Sequence, residues 1–216
     1  TPGAMNVFDT DATEEIIEPS KEKATIQEIT ITEARDMEPG DHVKVHGVVS
    51  VAPGVLGSQI FYLSGSGIQV YMYKKDFPVL KVGDLIAVTG TLSEAGGVMR
   101  IKVKERADIV ITKHGEPPEA HTISAEEIGE DLEGSLVKVS GTIIDITKNG
   151  MTLDDGKGET LLVIKPTTNI DTKELTPGTK VSVTGIVSQT KSGYRLLPRF
   201  QEDIEILGHE DLGSTV

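Results

Sequence analysis

An all-β chain built from two small Greek-key barrels in tandem is what this sequence predicts, and three observations predict it. First, the sequence repeats: VKVHGVV at 43–49 returns as VKVSGTI at 137–143, and GDLIAVTGTLS at 83–93 returns as GTKVSVTGIVS at 178–188. The internal spacing is kept, with 43 residues from Gly47 to Gly90 and 44 from Gly141 to Gly185, 10 from Gly90 to Arg100 and from Gly185 to Arg195, and 8 from Arg100 to Asp108 and from Arg195 to Asp203. A period of 94 to 95 residues exceeds the roughly 20–50 of solenoid repeats, so the repeating unit is a whole domain. Second, each unit holds about five short runs rich in β-branched residues, too few for an immunoglobulin-like sandwich of about seven strands. Third, Gly47, Gly90, Gly141 and Gly185 interrupt the longest runs, where a barrel strand must coil sharply and a missing side chain permits it.

The elements follow in order. Residues 1–24 are polar, acidic and aperiodic, an expected flexible leader, and the first five, TPGAM, resemble a cloning remnant and are set aside from the fold. The first domain is expected over 25–112. A short helix or turn over Thr32 to Met37 precedes the Pro39-Gly40 turn, and strands are expected at His42–Val51, Gln59–Leu63, Ile68–Lys74, Leu85–Leu92, Val98–Val103 and Asp108–Ile111. KHGEPPEA at 113–120, with its two prolines, reads as a short stiff linker. The second domain, 121–208, opens with Ser124 three residues before Glu127, the spacing of a capping box. Its strands are expected at Ser135–Ile146, Met151–Leu153, Thr160–Lys165, Lys180–Val187, Tyr194–Pro198 and Asp203–Leu207, with a short helix around Asp171 to Leu175 and a tail over 209–216.

Composition limits the chemistry. There is no cysteine, hence no disulfide framework, thiolate metal site or thiol nucleophile. The longest apolar stretches, such as ADIVI at 107–111, are far too short to span a bilayer as a helix. The five histidines, at 42, 46, 114, 121 and 209, lack any metal-ligand spacing. His42, Lys44 and His46 share one face of a strand, read as its solvent side, and the acidic run DDGKGE at 154–159 reads as a hairpin turn rather than a calcium loop. No phosphate-binding Gly loop is present either. The expectation is a protein without enzymatic activity and without a cofactor. Net charge is −13, which argues against a polyanionic partner, but residues 29–112 carry nine basic and nine acidic side chains and are neutral, whereas 1–28 and 121–208 each carry −5.

The segments VKVHGVV, IFYLSGSGIQVY, KVGDLIAVTGTLSE and RIKVKERADIVI of the first unit, with VKVSGTI, LTPGTKVSVTGIVS and YRLLPRFQEDIEIL of the second, resemble OB-fold domains. In particular they resemble the tandem OB-type modules of bacterial secreted or surface nucleases and related multidomain proteins. The resemblance implies two tandem five-stranded Greek-key OB-fold barrels with short helices, an extracellular or cell-surface setting, and a ligand on the face of barrel strands two and three. Nuclease activity itself would require a further domain.

On that face the aromatic side chains are concentrated: five of the eight Phe and Tyr residues lie between Phe61 and Phe77. Alternation turns Ile68, Val70 and Met72 into the barrel and Gln69, Tyr71 and Tyr73 outward, with Tyr62 outward on the preceding strand. Tyr62, Tyr71 and Tyr73 are therefore candidates to stack bases, with Gln69, Lys74, Lys75, Arg100, Lys102 and Lys104 beside them to meet bases and phosphates. Cross-strand tyrosines that merely stabilise a sheet, and ordinary surface lysines, are the bland alternative. In the second unit Thr152, Leu162 and Ile164 align with the three tyrosines, so an outward Leu162 and Ile164 are expected to pack against the other unit or a protein partner. Lys148, Lys157, Lys191, Arg195 and Arg199 are its candidate backbone contacts. The recurring Arg and Asp predict ion pairs Arg100–Asp108 and Arg195–Asp203, leaving Arg199 as the freer cation. The reading that follows is a nucleic-acid-binding protein favouring single strands, DNA before RNA; the alternative is a protein-interaction or structural module of a bacterial surface or secreted protein.

Overall fold

A computed structural model describes residues 26–209; the leader and the tail beyond His209 lie outside the described residues. The first unit runs through β1 (Gln27–Ile29), α1 (Ile31–Asp36), β2 (His42–Val51), β3 (Ile60–Leu63), β4 (Ile68–Met72), β5 (Leu85–Ala95), β6 (Val98–Val103) and β7 (Ile109–Lys113). Its sheet has the order β1-β2-β3-β4-β6-β5-β7, and β2 pairs also with β5, which closes β2, β3, β4, β6 and β5 into a barrel. The β4–β6 contact is parallel while β2–β3, β3–β4, β5–β6 and β2–β5 are antiparallel, the strand order of a five-stranded OB-fold Greek key.

The second unit repeats the plan with β8 (His121–Thr122), β9 (Leu136–Thr147), β10 (Gly150–Asp154), β11 (Glu159–Leu162), β12 (Thr179–Thr190), β13 (Gly193–Leu197) and β14 (Ile204–His209), closed by β12 on β9. Two short parallel strands escape the sequence reading: β1 and β8 lie against β2 and β9. The helix expected at Asp171 to Leu175 is not formed; a single 3-10 turn at Pro166–Thr168 stands in this connection instead, with Leu175 still buried in the barrel.

Local chemistry accounts for the helical pieces. The side chain of Thr30 accepts from the Glu33 backbone N–H, and Glu33 Oε2 accepts from Thr30 N at 2.7 Å, which forms the capping box that starts α1. Ser124 and Glu127 form the expected box over the 3-10 turn Ala125–Glu127. Asp155 explains the DDGKGE run: it accepts from the N–H groups of Lys157 and Gly158 in its own turn and from Ala125 N, which holds its carboxyl below the usual carboxylate range against the cost of burial.

Each barrel is filled by its inward alternation, with Phe61, Leu63, Ile68, Met72, Ile86 and Ile101 in the first and Ile143, Leu153, Leu162 and Leu196 in the second. Gly90, Gly141 and Gly185 serve close packing more than bending, since an added Cβ would stand 2.7, 2.5 and 2.8 Å from the carbonyl oxygens of Lys102, Asp154 and Leu197. A third apolar cluster joins the units, made of Val51, Leu56 and Tyr62 from the first barrel and Leu136, Ile186 and Leu197 from the second. At roughly 1.5–3 kcal/mol for each large side chain fully removed from water, this cluster is a substantial third core. Polar clasps surround it. Arg35 of α1 donates to the carbonyls of Ser66, Glu133 and Glu130, and Thr167 Oγ1 donates to Val55 O at 2.6 Å.

Candidate nucleic-acid interface

Strand register sets the outer face of the first barrel into two rows. The pairings Tyr62↔Gln69, Gln69↔Arg100 and Arg100↔Ser93 make one row across β3, β4, β6 and β5, and Ile60↔Tyr71, Tyr71↔Lys102, Lys102↔Thr91 and Thr91↔His42 make the next. Hydrogen bonds run along the first row, from Gln69 Nε2 to Tyr62 Oη at 2.8 Å and from Arg100 Nε to Ser93 Oγ at 3.3 Å. The Arg100 guanidinium lies over the Tyr71 ring with 4.1 Å to its centroid, within cation–π range. Tyr73, just past the end of β4, is 75% exposed.

The charges here are of two kinds. Lys74 is committed to Glu105 at 2.8 Å, and that carboxylate raises its pKa. Arg100, Lys102, Lys104 and Lys75 make no ion pair among the described residues, and Lys75 turns the chain away from β4 in a left-handed conformation at φ 60. On the neighbouring strand Lys44 and His46 face solvent and meet Glu28 of β1 at 2.8 and 3.2 Å.

Tyr62 departs from the expectation. It points out of its own barrel, as alternation requires, but the second barrel stands over it and leaves it 4% exposed within the shared apolar cluster; burial raises its phenol pKa. It is a junction residue and offers no ring to a ligand. Arg199 departs further. Its N, Nε and Nη2 all engage the Asp203 carboxylate, at 2.7, 2.9 and 2.8 Å, and Nη1 donates to Ser50 O of the first barrel at 2.8 Å. The predicted free cation is thus a buried clasp, and the predicted Arg195–Asp203 pair does not form because Arg199 holds that carboxylate.

Arg100 and Asp108 do not pair either: Asp108 Oδ2 accepts from Glu105 N at 3.0 Å. In both units the recurring Asp closes the 3-10 turn that leads into the last strand, which is why it keeps step with the repeat. The expected outward Leu162 and Ile164 are also corrected. Leu162 is fully buried inside the second barrel and Ile164 packs on that same core, because β11 pairs Leu161 with Arg195 and so turns Leu161 and Val163 outward. Val163 then joins the cluster between the barrels.

Lys148 and Lys191 sit in the hairpin turns at the ends of β9 and β12, and Lys148, Lys157 and Lys191 are exposed. The structure brings Gln69, Tyr71, Tyr73, Arg100 and Lys102 together and leaves these three lysines apart from them, on turns of the other barrel. Sequence reasoning missed Arg35, whose three carbonyl contacts span the barrels, and Lys165, which continues the outward alternation of Leu161 and Val163. That alternation is the signal that would have found Lys165; nothing local marks Arg35.

Among the described residues no group of three or more His, Asp or Glu side chains is placed to hold a metal ion, and no helix is long and apolar enough to cross a membrane.

No protein-family model and no curated protein sequence matches the chain. Among solved structures it is similar to the p204 HINb domain, at 12% identity over 79% of this chain and 100% of that one, with a TM-score of 0.39. A murine DNA-binding protein bound with double-stranded DNA matches at 15% identity over 79% of this chain and 98% of that chain, with a TM-score of 0.37. The asparaginyl-tRNA synthetase from Pyrococcus horikoshii matches at 16% identity over 41% of this chain, with a TM-score of 0.33, and only 23% of the synthetase is covered.

Proposed function

We propose that the chain binds single-stranded nucleic acid without catalysis, on the outer face of the first barrel. Tyr73 and the Arg100–Tyr71 pair stack bases there, and Lys102 and Lys75 meet the backbone. The observation that carries this reading is the Arg100 guanidinium laid at 4.1 Å over Tyr71. A planar cation fixed on an aromatic ring is a surface on which an unstacked base can lie, and the 75% exposed ring of Tyr73 extends it.

Single strands fit better than duplex, because stacking requires bases freed from their own neighbours. The net charge of −13 does not oppose this, since the face belongs to the neutral unit and its cations Arg100, Lys102 and Lys75 are unpaired among the described residues. The competing reading, a protein-docking module, rested on the acidic charge and on an outward Leu162 and Ile164; both side chains pack on the second barrel's own core, which leaves it the charge alone. DNA rather than RNA, and the resemblance to modules of bacterial nucleases, belong to the same proposal.

Fluorescence anisotropy with labelled oligothymidine and duplex at low and physiological salt is the test. Salt-dependent binding of the single strand is expected, and Tyr73→Ala or Arg100→Ala should weaken it by the roughly 1–3 kcal/mol of one stacked base. Absence of binding at low salt, or indifference to both substitutions, refutes the proposal.

A further inference from the structure

Arg100 and Arg195 occupy equivalent places in the two barrels, Arg100 between Gln69 and Ser93 and Arg195 between Leu161 and Ser188. Their surroundings differ. Arg100 has the Tyr71 ring beneath it and Ser93 Oγ as an acceptor. At Arg195 the place of Tyr71 is taken by Val163, and Nε is shielded from solvent with no hydrogen-bond partner; no ion pair to its guanidinium forms among the described residues. A buried donor left unmade costs roughly 1–3 kcal/mol, more when charged.

A second cation stands near it. Lys165, two residues beyond Val163, is half-buried and also lacks an ion pair among the described residues. Burial first, and the Arg195 charge second, lower its pKa. Two like charges, each partly withdrawn from water and without a counter-ion, are an unfavourable arrangement unless an anion joins them. Arg195 also lies within electrostatic reach of Tyr62, which Gln69 ties to the row holding Arg100. The carboxyl that bears on Tyr62, Glu133, forms no ion pair with either cation and holds its proton up to about pH 7.

We infer that the junction carries a phosphate subsite in which Arg195 and Lys165 of the second barrel hold the backbone of the strand whose bases lie on Tyr73 and Arg100. This rests on the reading given under the proposed function. It gives the second barrel a role that its own β10–β11 face, with Thr152 in place of Tyr62 and no aromatic side chain, does not supply. The subsite extends the path from Lys102 through Arg100 and Gln69, past the buried Tyr62, onto the second barrel.

The test compares the full chain with Lys165→Gln and Arg195→Gln, using oligothymidines of increasing length and, separately, inorganic pyrophosphate. For the wild type, affinity should rise with length until the strand reaches the junction. In either variant the rise for long strands should vanish, and the slope of log K against log salt should become shallower by about 0.7 for each phosphate no longer neutralised. Lys165→Gln is the safer of the two for folding, and the melting temperature of each variant checks it. Unchanged affinity and slope in both variants, with Tyr73→Ala still weakening binding, would overturn the subsite and leave the stacking face standing. Pyrophosphate that raises the melting temperature of the wild type but of neither variant would support the subsite even if no oligonucleotide bound; equal shifts in all three proteins would count against it.

Discussion

Arg199 and Asp203 are both over 90% buried as side chains and joined at 2.8 Å, with Ser50 O accepting from Nη1 of the guanidinium. Removing one partner of such a pair leaves an uncompensated charge in the interior, at about 3–5 kcal/mol. Asp203→Ala is therefore expected to lower stability in denaturant titration by that order, and the double variant Arg199→Met with Asp203→Leu, which leaves neither charge behind, by less; equal losses would mean that the stranded charge is not what matters. Neither side chain's place was legible in the sequence. Alternation told which way Tyr62 leaves its barrel and the repeat told that Asp203 matters, yet burial of Tyr62 and capture of Asp203 by Arg199 depend on the facing surface of the other barrel or on a turn whose geometry the residue types do not specify.

The strands were legible because they are local: β2 and β6 begin and end at the residues that alternation and β-branching predict. The junction elements were not. The turn after β3 meets the turn before β9 with Gly67 and Gly134 backbone to backbone, both at positive φ, +69 and +75, and a Cβ on Gly67 would stand 2.1 Å from Gly134 C. Gly67→Ala should force these turns apart and loosen the barrels from each other, measurable as faster amide exchange at Tyr62, Leu136 and Leu197; exchange as in the wild type would contradict the packing described. Next to that contact, burial pushes the Glu133 carboxyl from 4.5 to about 7, with Arg35 opposing and Glu130 and Glu94 adding to the rise. The folded chain thus holds this proton more tightly than the unfolded one, so its contribution is full below about 4.5 and is lost as pH rises through about 7. Glu133→Gln should gain stability relative to wild type between about pH 5 and 7.5, read as a growing difference in melting temperature; a constant difference would show that Glu133 does not titrate there.

Across the whole molecule the repeat gives architecture twice and the proposed binding face once. Both barrels keep the closing register, the capped last turn and the outward Arg, while the Tyr71 and Tyr73 rings with Arg100 and Lys102 beside them stand on the neutral first barrel, and the second barrel covers Tyr62 at the edge of that face with an apolar patch. Charge distribution, aromatic clustering and alternation made it legible in sequence that Tyr71, Tyr73, Arg100 and Lys102 share the outer side of the first barrel. Its boundary was not legible, because the boundary is set by the contact between barrels. Chemical-shift mapping by NMR with a short oligothymidine tests this account most directly. The largest shifts are predicted at Gln69, Tyr71, Tyr73, Arg100 and Lys102, with the turns bearing Lys148 and Lys157 unmoved; shifts centred on those turns, or none at saturating strand, would contradict it.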